Sequence, residues 1–109
     1  MLRAALITVV ALIPVVTAAQ MTDKQFAWVE TGKDAVRAKL KDPESARFRN
    51  VFFNRGEDDI PVACGEVNAK NSFGGYQGHQ HFISAGRPDL TFLETEVSDF
   101  GKLWNRLCR

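Results

Sequence analysis

The chain has 109 residues, 45% of them hydrophobic, with 14 Lys and Arg set against 13 Asp and Glu. A charge balance this close to neutral lacks the basic footprint of a nucleic-acid binder and gives no case for an anionic membrane surface. The length allows one domain with a modest core, in the size range where a covalent staple helps.

The first segment predicts export. Arg3 supplies a positive charge, an apolar run follows from Ala4 to Val16, and Thr17, Ala18 and Ala19 are small residues. These are the three parts of a secretory signal peptide, with cleavage after Ala18 or Ala19. As a membrane anchor the run falls short of the ~20 residues a spanning helix needs, and no cysteine follows it for acylation. The expected organisation is therefore a cleaved signal over residues 1–19 and a single domain over 20–109. Removing 19 residues from 109 leaves 90, and without Arg3 the remaining chain has 13 basic and 13 acidic residues.

A helix comes next. Thr22 and Gln25 have capping-box spacing, and Phe26, Val29, Val36 and Leu40 share one helical face, with Gly32 weakening the middle. Asp42-Pro43 stops this helix and can open a short helical turn, Asp42 as cap and Pro43 in the first position. The aromatic-rich stretch 47–54 reads as a half-buried strand, and the polar stretch 55–59 as a connection. A second strand over 60–69 has Pro61 at its start, where a missing N–H is tolerated. A glycine-rich loop leads to a third strand at 79–84, and a turn at 85–89 to a fourth at 90–96. Chain proximity makes an antiparallel meander the default order. The last helix begins near Ser98 as cap and places Phe100, Leu103, Trp104 and Leu107 in one apolar stripe. The expected fold is α+β: an N-terminal helix, about four antiparallel strands and a C-terminal helix, with both helices on one sheet face.

Cys64 and Cys108 are the only cysteines. In an oxidising compartment they read as one disulfide pinning the last helix to the second strand. Two buried thiols, or a Cys64 thiolate paired with His79 or His81, are the alternatives. Their spacing is far from the C-x-x-C of redox enzymes.

Two stretches, LKDPESARFRNV (40–51) and CGEVNAKNSFGGYQGHQHF (64–82), carry a resemblance. Together the chain resembles a family of small exported proteobacterial and mobile-element proteins. That family has a D-P-x-S-A-x-F-(R/K)-N-V segment followed by C-G-x-V-N-x-K-N-x-(F/Y)-G-G-Y-x-G. The resemblance spans about half of the chain after the signal. It implies export and kinship but no activity, so no catalytic residue is carried over.

The glycine loop is the most distinctive stretch. Gly74 and Gly75, with Gly78 beyond Tyr76, permit positive φ, and such turns can expose N–H groups to an anion. There is no G-K-(S/T) pattern for nucleotide phosphates, and Asn68 and Asn71 suit turn capping. If the loop binds, Lys70, Asn71 and Tyr76 are the expected donors, on a frame set by Gly74, Gly75 and Gly78. His79 and His81 alternate on a strand, about 7 Å apart on one side. Two imidazoles need a third metal ligand, for which Glu66 and Gln77 are weak candidates. Glu57, Asp58 and Asp59 lack the spacing of a Ca²⁺ loop and read as a solvated turn. Arg47 and Arg49 face one side of their strand, to pair with Glu66 or Glu94 across the sheet or to meet an acidic partner.

No catalytic set or cofactor site is assembled. The expected function is a non-enzymatic exported module, periplasmic or extracellular, that binds a protein or envelope component through residues 70–78. No stable membrane insertion is expected after signal cleavage, and no nucleic-acid partner. The alternatives are a small metal-dependent or hydrolytic enzyme using His79 and His81, or an envelope protein that self-associates through a strand edge.

Overall fold

The computed structural model describes residues 20–109 and, before them, Ala5. Apart from Ala5, the expected signal peptide lies outside the described residues. Helix α1 runs Asp23–Arg37. Strands β1 (Arg47–Arg55), β2 (Pro61–Asn68), β3 (Gln80–Ser84) and β4 (Thr91–Leu93) follow, and helix α2 (Phe100–Leu107) ends the domain. The strands form one antiparallel sheet in sequential order, β1-β2-β3-β4. The α+β class and the meander are as expected. Among the described residues no helix is long and apolar enough to cross a membrane.

Local chemistry explains the element ends. The capping box at the start of α1 is complete: Thr22 Oγ1 accepts from Gln25 N, and Gln25 Oε1 accepts from Thr22 N. Pro43–Ser45 forms a single 3₁₀ turn with Pro43 in its first position. The connection 57–59 is also a 3₁₀ turn, in which Asp58 and Asp59 both have φ of 60°. At the start of α2, Asp99 rather than Ser98 holds the cap position. Its φ is 57° and its side chain makes no capping hydrogen bond.

The two helices lie on opposite faces of the sheet, which corrects the expectation that both share one. Val29 and Val36 of α1 pack with Ala63, Val67, Phe82 and Leu93. Phe100 and Cys108 pack with the alternate residues Val62, Cys64 and Ile83. Successive strand residues point to opposite faces, so the alternation assigns one helix to each. The sequence signal is the unbroken apolar run Val62-Ala63-Cys64-Gly65 in β2, all four residues buried. A strand covered on one face only would alternate with polar residues.

The seam between α1 and the sheet is built from small residues. Its buried positions are Val29, Gly32, Ala35 and Val36, whereas Phe26 stays 53% exposed. A Cβ on Gly32 would lie 2.8 Å from the Ala63 Cβ, so this glycine lets helix and sheet approach closely.

β1 contains a bulge. Arg49 pairs with Glu66 but Phe52 pairs with Cys64, so β1 carries one extra residue. Asn50 absorbs it at φ 53°, a conformation that asparagine tolerates better than most residues. The slip lets Phe48, Val51 and Phe53 all face α1 while Phe52 faces α2. Phe48 meets Phe82 edge-to-face at 5.6 Å, and Phe52 meets Trp104 at 6.2 Å.

Candidate functional site: the glycine-rich hairpin

Between β2 and β3 the chain makes a small hairpin closed by an isolated antiparallel bridge, Lys70 to Tyr76. Asn71 organises its tip. Its N–H donates to Gly75 O (2.9 Å), its carbonyl accepts from Gly74 N (3.0 Å), and its Oδ1 accepts from Phe73 N (2.9 Å) and Gly75 N (3.1 Å). Gly74 has φ of +80° and Gly78 of +96°, where a Cβ is costly. Gly75 is outside that region. At the exit, Gly78 N donates to Asn68 Oδ1 (3.1 Å). Both asparagines therefore cap the turn, as their side-chain chemistry suggests.

The base of the hairpin docks on the Pro43–Ser45 turn. Tyr76 Oη donates to Ser45 O (3.0 Å), and Lys70 N donates to Ser45 Oγ (2.8 Å), which itself donates to Asp42 O (2.8 Å). The Arg47 guanidinium lies over the Tyr76 ring at 4.2 Å, with Lys70 Nζ 5.7 Å from the ring centroid. The stretches 40–51 and 64–82 thus meet in one substructure. Of the expected donors, the Tyr76 hydroxyl is spent on Ser45 O and the Asn71 Oδ1 on the hairpin tip, while the Lys70 ammonium lies beside the Tyr76 ring and makes no ion pair among the described residues. Phe73 was not among them, yet it is 96% exposed at the tip. An aromatic residue inside a turn of asparagine and glycine was the available signal.

The histidines fall elsewhere. β3 starts at Gln80, so His79 precedes it. His81 lies on the α2 face, its ring 5.0 Å from that of Trp104 and its Nδ1 3.2 Å from Glu94 Oε1, which also accepts from the His81 N–H (3.0 Å). These bonds hold the Glu94 carboxyl below the usual range, the backbone N–H first among them. His81 and Glu94 line an open cavity of about 290 Å³ together with Phe100, Gly101, Trp104, Asn105 and Arg109. That lining offers no serine, threonine or cysteine as nucleophile. Among the described residues no three His, Cys, Asp or Glu side chains stand together as a metal site. Cys64 and Cys108 are joined in a disulfide, so Cys64 has no thiolate to pair with a histidine.

Glu66, beside His81, has its own partners. Arg49 Nη2 donates to Oε1 (3.0 Å) and Asn50 Nδ2 to Oε2 (2.9 Å). The Arg49 bond first, then the Asn50 bond, hold the Glu66 carboxyl down at about 2, against an ordinary 4.5. The folded state thus binds this proton less readily than the unfolded chain. The stability it contributes is complete above about pH 4.5 and is lost as pH falls toward 2. Thermal melts of wild type and Glu66→Gln should differ at pH 6 and converge as the pH approaches 2. A gap that stays constant over that range would exclude this ion pair as a pH-dependent tie across the β1 bulge.

Comparison of the chain with protein-family models, with curated proteins and with solved structures finds no match.

Proposed function

We propose that the protein is an exported, non-enzymatic binding module whose contact surface is the hairpin 70–78, with Phe73 as its anchor. The observation that carries this reading is the pairing of a fully solvent-facing aromatic tip with a base locked by Tyr76 and Ser45. A tip ordered before binding loses little conformational entropy on association. Buried aromatic anchors dominate the energetics of protein interfaces. Export is supported by the Cys64–Cys108 disulfide, which belongs to oxidising compartments, and by the charged, apolar and small-residue pattern of the first 19 residues. The expected partner is an exported protein or a component of the envelope.

The test is capture from envelope extract of the producing organism by wild type, Phe73→Ala and Tyr76→Phe. Burying a phenylalanine is worth about 1.5–3 kcal/mol, so Phe73→Ala should weaken retention of a specific partner by roughly 10- to 150-fold. Tyr76→Phe keeps the anchor but removes the hydrogen bond to Ser45, and should weaken it less. Both variants should melt within a few degrees of wild type. Equal recovery of every partner by wild type and Phe73→Ala would sink the proposal.

A further inference from the structure

A cleft of about 170 Å³ opens beside the hairpin, between the end of α1, the hairpin base and the ends of β3 and β4. Lys39, Lys41 and Lys70 line it, together with Asn71, Gln77 and Gln80. One carboxylate, Glu96, is present and is already engaged: its Oε2 is 2.9 Å from Lys39 Nζ, which also donates to Thr91 O. Lys41 and Lys70 make no ion pair among the described residues. Gln80 has its carbonyl end fixed, Oε1 accepting from Thr95 N (3.1 Å) and from Thr95 Oγ1 (2.9 Å). That orientation keeps its NH₂ end as the remaining donor. The cleft thus combines two lysines without a carboxylate partner, Lys70 Nζ lying 5.7 Å from the Tyr76 ring centroid, with the NH₂ end of Gln80, on a scaffold set by the hairpin.

We infer that the cleft receives the carboxylate of an acidic residue, Asp or Glu, on the polypeptide bound by the hairpin. This rests on the hairpin being the contact surface, because Asn71 lines the cleft and Phe73 stands two residues away at the tip. A side-chain carboxylate fits better than a phosphate because Glu96, which lines the cleft, repels a dianion more strongly than a monoanion. The partner is therefore a peptide segment with an acidic residue close to the pocket that takes Phe73, and charge attraction at the cleft would fix its register.

Amide chemical-shift titration of the purified protein with an end-blocked hexaglutamate peptide tests this, with inorganic phosphate at matched ionic strength as the second arm. The expected result is saturable shifts at Lys41, Lys70, Gln77 and Gly78. Affinity should fall at least fivefold in Lys41→Gln/Lys70→Gln and stay unchanged in Lys102→Gln, a lysine exposed on α2. Absence of saturation overturns the inference, as does equal weakening by Lys102→Gln, or phosphate producing the same shifts at lower concentration. If the cleft variants bind like wild type while Phe73→Ala still loses its partner, the hairpin reading stands and the cleft reading falls.

Discussion

Removing the Cys64–Cys108 disulfide is expected to cost about 4 kcal/mol and to lower the melting temperature by about 15 °C or more. The bond closes a loop of 44 residues, and that loop length sets the entropy returned to the unfolded chain. The consequence should concentrate in α2. Eight residues are fewer than the ~12 an isolated helix needs, and Asp99 supplies no side-chain cap. Besides the disulfide, α2 is held by Phe100, by the half-buried Leu103, Trp104 and Leu107, and by a bond from Asn54 Nδ2 to Leu107 O. The surface pair Arg106–Glu57 adds little. Comparing melts of oxidised protein, reduced protein and Cys64→Ala/Cys108→Ala measures the cost, and in a Trp28→Phe background Trp104 fluorescence follows the helix. A shift below about 5 °C, or an unchanged Trp104 signal on reduction, would show that α2 is held without the disulfide.

How far the sequence carried depended on the range of the interaction. Thr22 with Gln25, Pro43 at the head of its turn and the stripe Phe100-Leu103-Trp104-Leu107 were legible because cap, turn and stripe each lie within a few residues. The disulfide was legible by count. The placement of α2 on the second face was also written in the chain, in the run Val62 to Gly65. The helix stripes themselves do not say which face each helix covers; that follows only from β2 being buried on both. The bulge at Asn50 had no clear local signature: an asparagine in a strand equally suits an edge. Docking of the hairpin on Ser45 joins residues 25 and 31 positions apart, and neither Ser45 nor Tyr76 shows that in its own neighbourhood. The non-local bond to Ser45 turns Tyr76 inward, local bonds occupy Asn71, and Phe73 is left exposed at the tip.

Gly65→Ala is expected to destabilise the fold by about 2 kcal/mol, although glycine in a strand is ordinarily a weakness. Gly65 lies in β2, paired with Phe82 and buried beside the β1 bulge. An added Cβ would stand 2.9 Å from both Cα and Cγ2 of Val51 and 3.2 Å from Phe82 Cε1. Val51 Cα is backbone, fixed by pairing on either side of the bulge, so no rotamer change relieves the contact. Overpacking of this kind costs about 1–3 kcal/mol, and the backbone contact places it toward the upper end. Against it stands the lower entropy of the unfolded alanine chain, about 0.4–1 kcal/mol, which does not offset it. Gly101→Ala is the matching control, because a Cβ there meets nothing within 4 Å and alanine is favoured in a helix by about 1 kcal/mol. The two substitutions are chemically identical and should move the melting temperature in opposite directions, Gly65→Ala down by about 10 °C and Gly101→Ala up by a few degrees. If Gly65→Ala melts at or above wild type, the approach of β1 to β2 at the bulge is looser than the contact distances require.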